Sequence, residues 1–354
     1  MHSWLKIPCV AGGLALLATV MTGCGGGSAG SVAAPAAPIT KVAHKYVGTQ
    51  SPGDVWHWNL GDGTFTATND TLSHNYSGTS TLLDSGFYKL TITASNDAGV
   101  AIGSVEYAFE VPGVALIAAP AGLNTAPVVA SSVGANPTGT NTYNWISIPR
   151  PGWTVGTDEA YGTAQIALNG AAGTITINPS MLDGTALTSK SQPISFVDGQ
   201  FDPGGGTGCI TPAGVIMVDN GPRDGGVVGV KAAVNNVDTA ELISHEYRGL
   251  LFTHGGRSQL MWMRANGSGG LRGGAYLNPE TPMAADGEEH NPIHIGSLGF
   301  TAQPSPGLLR GTLNIPNSGS SNFVFVVNVV GGKHMLFGFA GDGPSPDNFL
   351  MIEK

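Results

Sequence analysis

Val55-Trp56-His57-Trp58-Asn59-Leu60-Gly61-Asp62-Gly63-Thr64-Phe65-Thr66-Ala67-Thr68 carries the clearest signal of the fold class. Two runs rich in aromatic and β-branched residues flank a Gly-Asp-Gly. Glycine and aspartate accept the left-handed backbone of a tight turn, so this pattern predicts a β-hairpin. Trp56 and Trp58 stand two apart, on one face of the first strand.

The same short bursts continue outward. Residues 74–81, 87–94, 105–111 and 114–118 alternate apolar and small polar side chains, cleanest in Phe87-Tyr88-Lys89-Leu90-Thr91-Ile92-Thr93-Ala94. After an Ala/Ser/Pro/Asn/Gly-rich stretch over 120–141 the pattern resumes at 143–146, 161–168, 173–177, 193–197, 214–219 and 227–233. It runs on through 247–254, 259–264, 308–315, 323–330, 334–340 and 348–353. Asp238 followed by Glu241 has capping-box spacing and predicts one short helix near 237–245. The expected fold is therefore all-β, with antiparallel strands forming an up-and-down barrel or a sandwich, as one unit or as two β subdomains. Trp56-His57-Trp58 with Gly63-Thr64-Phe65-Thr66-Ala67, set against Asn144-Trp145-Ile146 with Gly173-Thr174-Ile175-Thr176-Ile177, hints at two related halves. The near-continuous apolar run 323–330 predicts a strand buried on both faces. A Gly331-Gly332 turn and one more strand, 348–353, end the chain as an up-and-down barrel closing on its first strand would.

Composition agrees. The 354 residues include 54 glycines and 23 prolines, nearly twice the ~12% of average proteins. Charged residues make up only 11%, which argues against long surface helices. The net charge is −9 with no basic cluster, so nucleic acid is excluded as an expected partner, since phosphate binding needs concentrated Lys and Arg.

Residues 1–23 read as an export signal: His2 and Lys6, then an apolar run from Val10 to Met21, shorter than the ~20 residues a bilayer span needs. Met21-Thr22-Gly23-Cys24 resembles the bacterial lipobox. That resemblance implies diacylglyceryl transfer to the Cys24 sulfur, cleavage after Gly23 and acylation of the new amino terminus. Residues 24–44 form a Gly- then Ala/Pro-rich tether. With Gly25 after the cysteine, proteobacterial sorting rules imply the outer membrane. Gly26-Gly27-Ser28-Ala29-Gly30 matches the G-x-S-x-G nucleophile pattern but stands in this tether, without the strand and helix that motif requires. Beyond the tether the expected division is an N-terminal β region over 45–119, a linker or long loop over 120–141 and a C-terminal β region over 142–354. Cys9 falls in the signal, so Cys209 is the lone cysteine of the mature fold and is expected to be a buried small apolar residue.

Trp58-Asn59-Leu60-Gly61-Asp62-Gly63, His74-Asn75-Tyr76, Gly86-Phe87-Tyr88 and the strand after them resemble the PKD-type immunoglobulin-like module across about 46–112, although Ser77 to Ser85 intervene where that family has few residues. The opening Tyr46-Val47-Gly48-Thr49-Gln50-Ser51-Pro52-Gly53-Asp54-Val55-Trp56 resembles uncharacterised proteobacterial outer-membrane lipoproteins over most of the mature chain. Neither resemblance supplies catalytic residues.

The densest polar cluster is Asp286-Gly287-Glu288-Glu289-His290-Asn291-Pro292-Ile293-His294. Glu289, His290 and His294 have metal-ligating chemistry. Pro292 breaks the helix that would bring the two imidazoles to one face, so a solvated loop is the competing reading. His245-Glu246-Tyr247-Arg248 lacks the second histidine of H-E-x-x-H, and Asp219-Asn220-Gly221-Pro222-Arg223-Asp224-Gly225-Gly226 lacks the ligand alternation of an EF-hand and reads as a turn. Trp56 and Trp58 are the candidate ligand-binding aromatics, able to stack on sugars if exposed or to fill a core if not. No spacing singles out a catalytic set and no cofactor is implied. The expectation is a membrane-anchored lipoprotein of the outer membrane with a non-catalytic binding or structural role in the cell envelope. A glycan, a protein or a small apolar molecule are its open ligand classes. The alternative is an envelope hydrolase, metal-assisted through the 286–294 loop.

Overall fold

The Gly-Asp-Gly hairpin forms as its residues dictate. Leu60 pairs with Phe65, the Gly61 N–H donates to the Thr64 carbonyl at 2.9 Å, and Gly63 takes a φ of 74°, a left-handed conformation that costs glycine nothing. The computed structural model describes residues 44–50, 54–119, 128–132, 136–148, 158–197, 199–202, 207–211, 213–219, 226–253, 257–275, 280, 296–315, 319–341 and 347–354.

The strands form three consecutive eight-stranded, closed antiparallel barrels. The first contains β1 (His44–Gln50), β2 (Asp54–Leu60), β3 (Thr64–Asn69), β4 (His74–Leu82), β5 (Tyr88–Ser95), β6 (Val105–Val111), β7 (Ala115–Ala119) and β8 (Val128–Ser132). It closes where β1 meets β8, Gly48 opposite Ala130. The second contains β9 (Thr140–Ile148), β10 (Tyr161–Asn169), β11 (Ala172–Ser180), β12 (Lys190–Val197), the two-residue β13 (Gln200–Phe201), β14 (Thr207–Ile210), β15 (Val215–Asp219) and β16 (Gly226–Lys231). Ile146 opposite Val228 closes it. The third follows the helix α1 (Thr239–Ser244) and contains β17 (Tyr247–Thr253), β18 (Arg257–Ala265), β19 (Leu271–Ala275), β20 (Gly296–Ser305), β21 (Leu308–Ile315), β22 (Gly319–Val330), β23 (Lys333–Ala340) and β24 (Asp347–Glu353). Leu250 opposite Leu350 closes this one. Asp238 caps α1 as expected, its side chain accepting from the Ala240 N–H at 2.8 Å.

Strand period 2 sends alternate residues inward and outward, and here both directions are apolar. Three buried clusters fill the barrels: Trp58, Phe65 and Leu90 belong to the first, Trp145, Ile166 and Phe196 to the second, Met263, Phe323 and Phe325 to the third. A fourth lies between them. Val47, Phe109 and Ile117 of the first barrel, Ile146, Val228 and Val230 of the second, and Leu250, Val324, Val326 and Phe337 of the third share one core. The run 323–330 shows why it lacks alternation: Phe323, Phe325 and Val327 fill the third barrel, while Val324, Val326 and Val330 face the shared core. Each such side chain contributes ~1.5–3 kcal/mol on burial. Polar pins add register across the junctions. The buried Arg248 donates from Nε to the Ser85 carbonyl at 3.0 Å, Asn348 Nδ2 to the Ser147 carbonyl at 2.7 Å and Asn144 Nδ2 to the Pro306 carbonyl at 2.7 Å.

Several expectations change here. The choice between barrel and sandwich resolves to barrels, three of them, joined by a shared core into one compact unit rather than two subdomains. The immunoglobulin-like module implied for 46–112 is instead the larger part of a closed meander barrel. One expectation holds: the final strand closes the third barrel on that barrel's own first strand, β17. Residues 120–141 contain β8 and the beginning of β9, and 142–354 contains nearly two whole barrels. The suspected repeat is partly topological. The Gly63 and Gly173 segments open third strands, with Phe65 and Ile175 both turned inward. The tryptophans, however, sit on a second strand (Trp58) and a first strand (Trp145).

Candidate functional site

Strand β6, Val-Glu-Tyr-Ala-Phe-Glu-Val, places Glu106, Ala108 and Glu110 on its inner face and Phe109 and Val111 on its outer face. Two carboxylates thus enter the first barrel, where both residues are buried. Their partners are tyrosines from three other strands. Glu110 accepts at Oε2 from Tyr46 Oη of β1 at 2.5 Å and at Oε1 from Tyr88 Oη of β5 at 3.1 Å, and His44 Nδ1 lies 3.6 Å from Oε2. Glu106 accepts from Tyr76 Oη of β4 at 3.1 Å. The Tyr46 oxygen itself accepts from the Gly113 N–H, at 3.1 Å, in the β6–β7 turn. A buried carboxylate survives only when hydrogen-bonded or paired, and phenolic donors do that work here.

Those phenols hold their protons. Burial raises Tyr46, the Gly113 N–H offsetting part of the effect and Tyr88 adding to it. Burial also raises Tyr76, reinforced by the Glu106 charge, and raises Tyr88, with Asp62 contributing. Each tyrosine therefore stays a donor across the physiological range.

The rest of the interior is aromatic. Trp56 Nε1 donates to Gln50 Oε1 at 2.9 Å. Trp58 stacks on Phe65 at 6.0 Å between centroids, and Tyr76 meets Trp56, Trp58 and Phe65 edge-on at 5.7, 5.9 and 6.1 Å. These are the separations of aromatic rings in direct contact. Trp56 and Trp58, the two sequence candidates for ligand stacking, are both buried in this cluster, and a sugar would have to enter the barrel to reach them.

Cys24 and the residues Glu289, His290 and His294 lie outside the described residues. Cys209 is buried in the shared core, and burial pushes its thiol up to about 12. The Tyr–Glu network was missed from sequence, although a signal was present. A strand with apolar residues on its other face spends two inward positions, four apart, on glutamate. Among the described residues, a donor set suited to a metal lies elsewhere, beside α1.

No family model matches the chain, and no curated protein does. Solved structures to which it is similar include isotype 1 transferrin binding protein B from serogroup B Neisseria meningitidis, at 12% identity and a TM-score of 0.26 over 85% of this chain and 66% of that one. Another is a protein of unknown function from the DUF3598 family of Nostoc punctiforme, at 13% identity and a TM-score of 0.23 over 61% of this chain and 95% of that one. The chain spans just under two thirds of the first. At these scores nothing of either protein's activity transfers to it.

Proposed function

We propose that this chain is a lipoprotein of the outer membrane, anchored through Cys24, whose three barrels serve a non-catalytic binding or structural role in the cell envelope. The observation that carries the reading is the apolar core shared by all three barrels. It joins them into one β body, which suits presentation at the end of a Gly/Ala/Pro tether. Barrel interiors occupied by their own side chains leave the outer surface and loops to meet a partner. That favours a glycan or a protein over a small apolar ligand.

The anchor is tested by Cys24→Ser. Serine oxygen is a far weaker nucleophile than a thiolate at neutral pH, and without acyl chains the ~0.8 kcal/mol of membrane affinity per buried CH₂ is lost. Wild type should incorporate a fatty-acid analogue and partition into detergent, and the variant should do neither. Equal labelling of both would overturn the anchor. For the body, binding on glycan, peptidoglycan and envelope-protein arrays is the expected result. Absence of binding together with hydrolysis of a generic envelope substrate would replace this reading with the hydrolase.

A further inference from the structure

Two histidines far apart in sequence meet at one end of the third barrel. His245 is the C-cap of α1 and His334 is the second residue of β23, just after the Gly331-Gly332 turn; their rings lie 4.7 Å apart between centroids. Glu353, the last residue of β24, holds both. Its Oε1 is 2.8 Å from His245 Nδ1 and its Oε2 is 2.9 Å from His334 Nδ1, and Oε2 also accepts from the His334 backbone N–H at 2.9 Å. Glu241, one helical turn before His245 and therefore on the same face of α1, completes the group. One ligand atom from each of Glu241, His245 and His334 lies within 4.8 Å of the other two.

A carboxylate that accepts the Nδ1–H of an imidazole sets its tautomer and leaves Nε2 as the free donor atom. This is the outer-shell arrangement that orients metal-ligating histidines. Here one carboxylate lies against the Nδ1 of two rings at once. We propose that Glu241, His245 and His334 bind a divalent transition cation of the zinc class, with Glu353 as the positioning residue. Two imidazoles and one carboxylate make a borderline-soft N₂O set that suits zinc better than magnesium or calcium. His334 is buried, His245 half-buried and Glu241 exposed, so the exposed carboxylate is the ligand free to move in and close a tetrahedral shell. Three protein ligands leave the fourth position for water or for a donor from a partner. The cation would staple α1 to the ends of β23 and β24.

The test uses the full, untagged chain, purified in detergent, stripped with a chelator and titrated with Zn²⁺ against a chromophoric competitor. Co²⁺ absorption reports the ligand set. One equivalent should bind, with the visible bands of a tetrahedral N/O site. His245→Ala and Glu241→Gln, both outside the barrel interiors, should each weaken binding at least tenfold while leaving the circular dichroism of the metal-free chain unchanged. Glu353→Gln can accept from only one of the two imidazoles, so it should weaken binding by ~10–100-fold and shift the Co²⁺ spectrum. His294→Ala should bind as wild type does. Zinc binding insensitive to His245→Ala and Glu241→Gln, binding lost in His294→Ala alone, or no binding below millimolar zinc would each overturn the site.

Discussion

The first and third barrels have the same strand number and the same meander topology, yet they fill their interiors differently. The third is lined with Met261, Met263, Phe323, Phe325, Leu336 and Phe349, an apolar filling. The first places Glu106 and Glu110 among Tyr46, Tyr76 and Tyr88 beside its tryptophans. Outward, β22, β23 and β24 of the third barrel offer Val324, Val326, Val330, Met335, Phe337, Phe339, Leu350 and Ile352 to the shared core, more than either neighbour gives from any three successive strands. Closure of an eight-stranded barrel asks only for inward side chains that fill the space. What they are made of is free to vary, and with it the physics. The third barrel is held by non-directional burial, the first in part by charge-assisted hydrogen bonds that need both partners.

Val326→Asp should have the greatest effect on stability. An unpaired carboxylate in the shared core costs several kcal/mol, and because three barrels meet there the whole body should lose folded structure in one step. Val329→Asp, three residues on in the same strand but 52% exposed, should stay within about 0.5 kcal/mol of wild type. Calorimetry of the two variants decides whether the junction is what holds the barrels. Equal melting temperatures would show that the shared core does not hold the barrels together.

Inside the first barrel, Glu110→Ala leaves two phenolic hydroxyls without their acceptor, at about 1–3 kcal/mol each. Tyr46→Phe removes one charge-assisted bond, about 1.5–3 kcal/mol. A double-mutant cycle of Tyr46→Phe with Glu110→Gln should show coupling of about 1 kcal/mol or more in urea unfolding. Additive effects would mean that the 2.5 Å contact carries no energy of its own.

A smaller effect should appear in the third barrel. Burial alone raises the Asp347 carboxyl from 3.8 to about 7, whereas in the first barrel tyrosine hydroxyls meet the buried carboxylates. The folded state therefore binds a proton that the unfolded state releases, and this contribution to stability falls as pH rises from about 4 to about 7. Asp347→Asn should flatten that slope, with none of its gain at about pH 4 and, at about pH 8, a gain of order 1 kcal/mol, less than the ~4 kcal/mol of a fully sequestered carboxyl because the residue is only half-buried. Melting temperatures of the two proteins across that range measure it. A slope unchanged by the substitution would contradict the burial of this carboxyl.

Much of the local structure was legible along the chain. The strand 105–111, the Gly61-Asp62-Gly63 and Gly331-Gly332 turns and the Asp238 cap each rest on contacts a few residues apart. Among the strands that escaped reading, β19 and β20 are rich in glycine and serine. These have few large side chains to show a period, and are held by pairing to their neighbours. Of the candidate site, the tryptophan pair was visible but its surroundings were not, since Tyr46 and Glu110 are 64 residues apart.

Period, turn chemistry and hydrophobicity act over a few residues, so the β character, the places where the chain turns and the two apolar environments of residues 323–330 can be read along the chain. The count of three barrels, the return of β24 to β17 and the meeting of His245, His334 and Glu353 depend on contacts between distant residues. Closure is made by backbone hydrogen bonds between strands as far apart as residues 247 and 353. Backbone donors and acceptors are the same in every residue, so no local pattern names their partners.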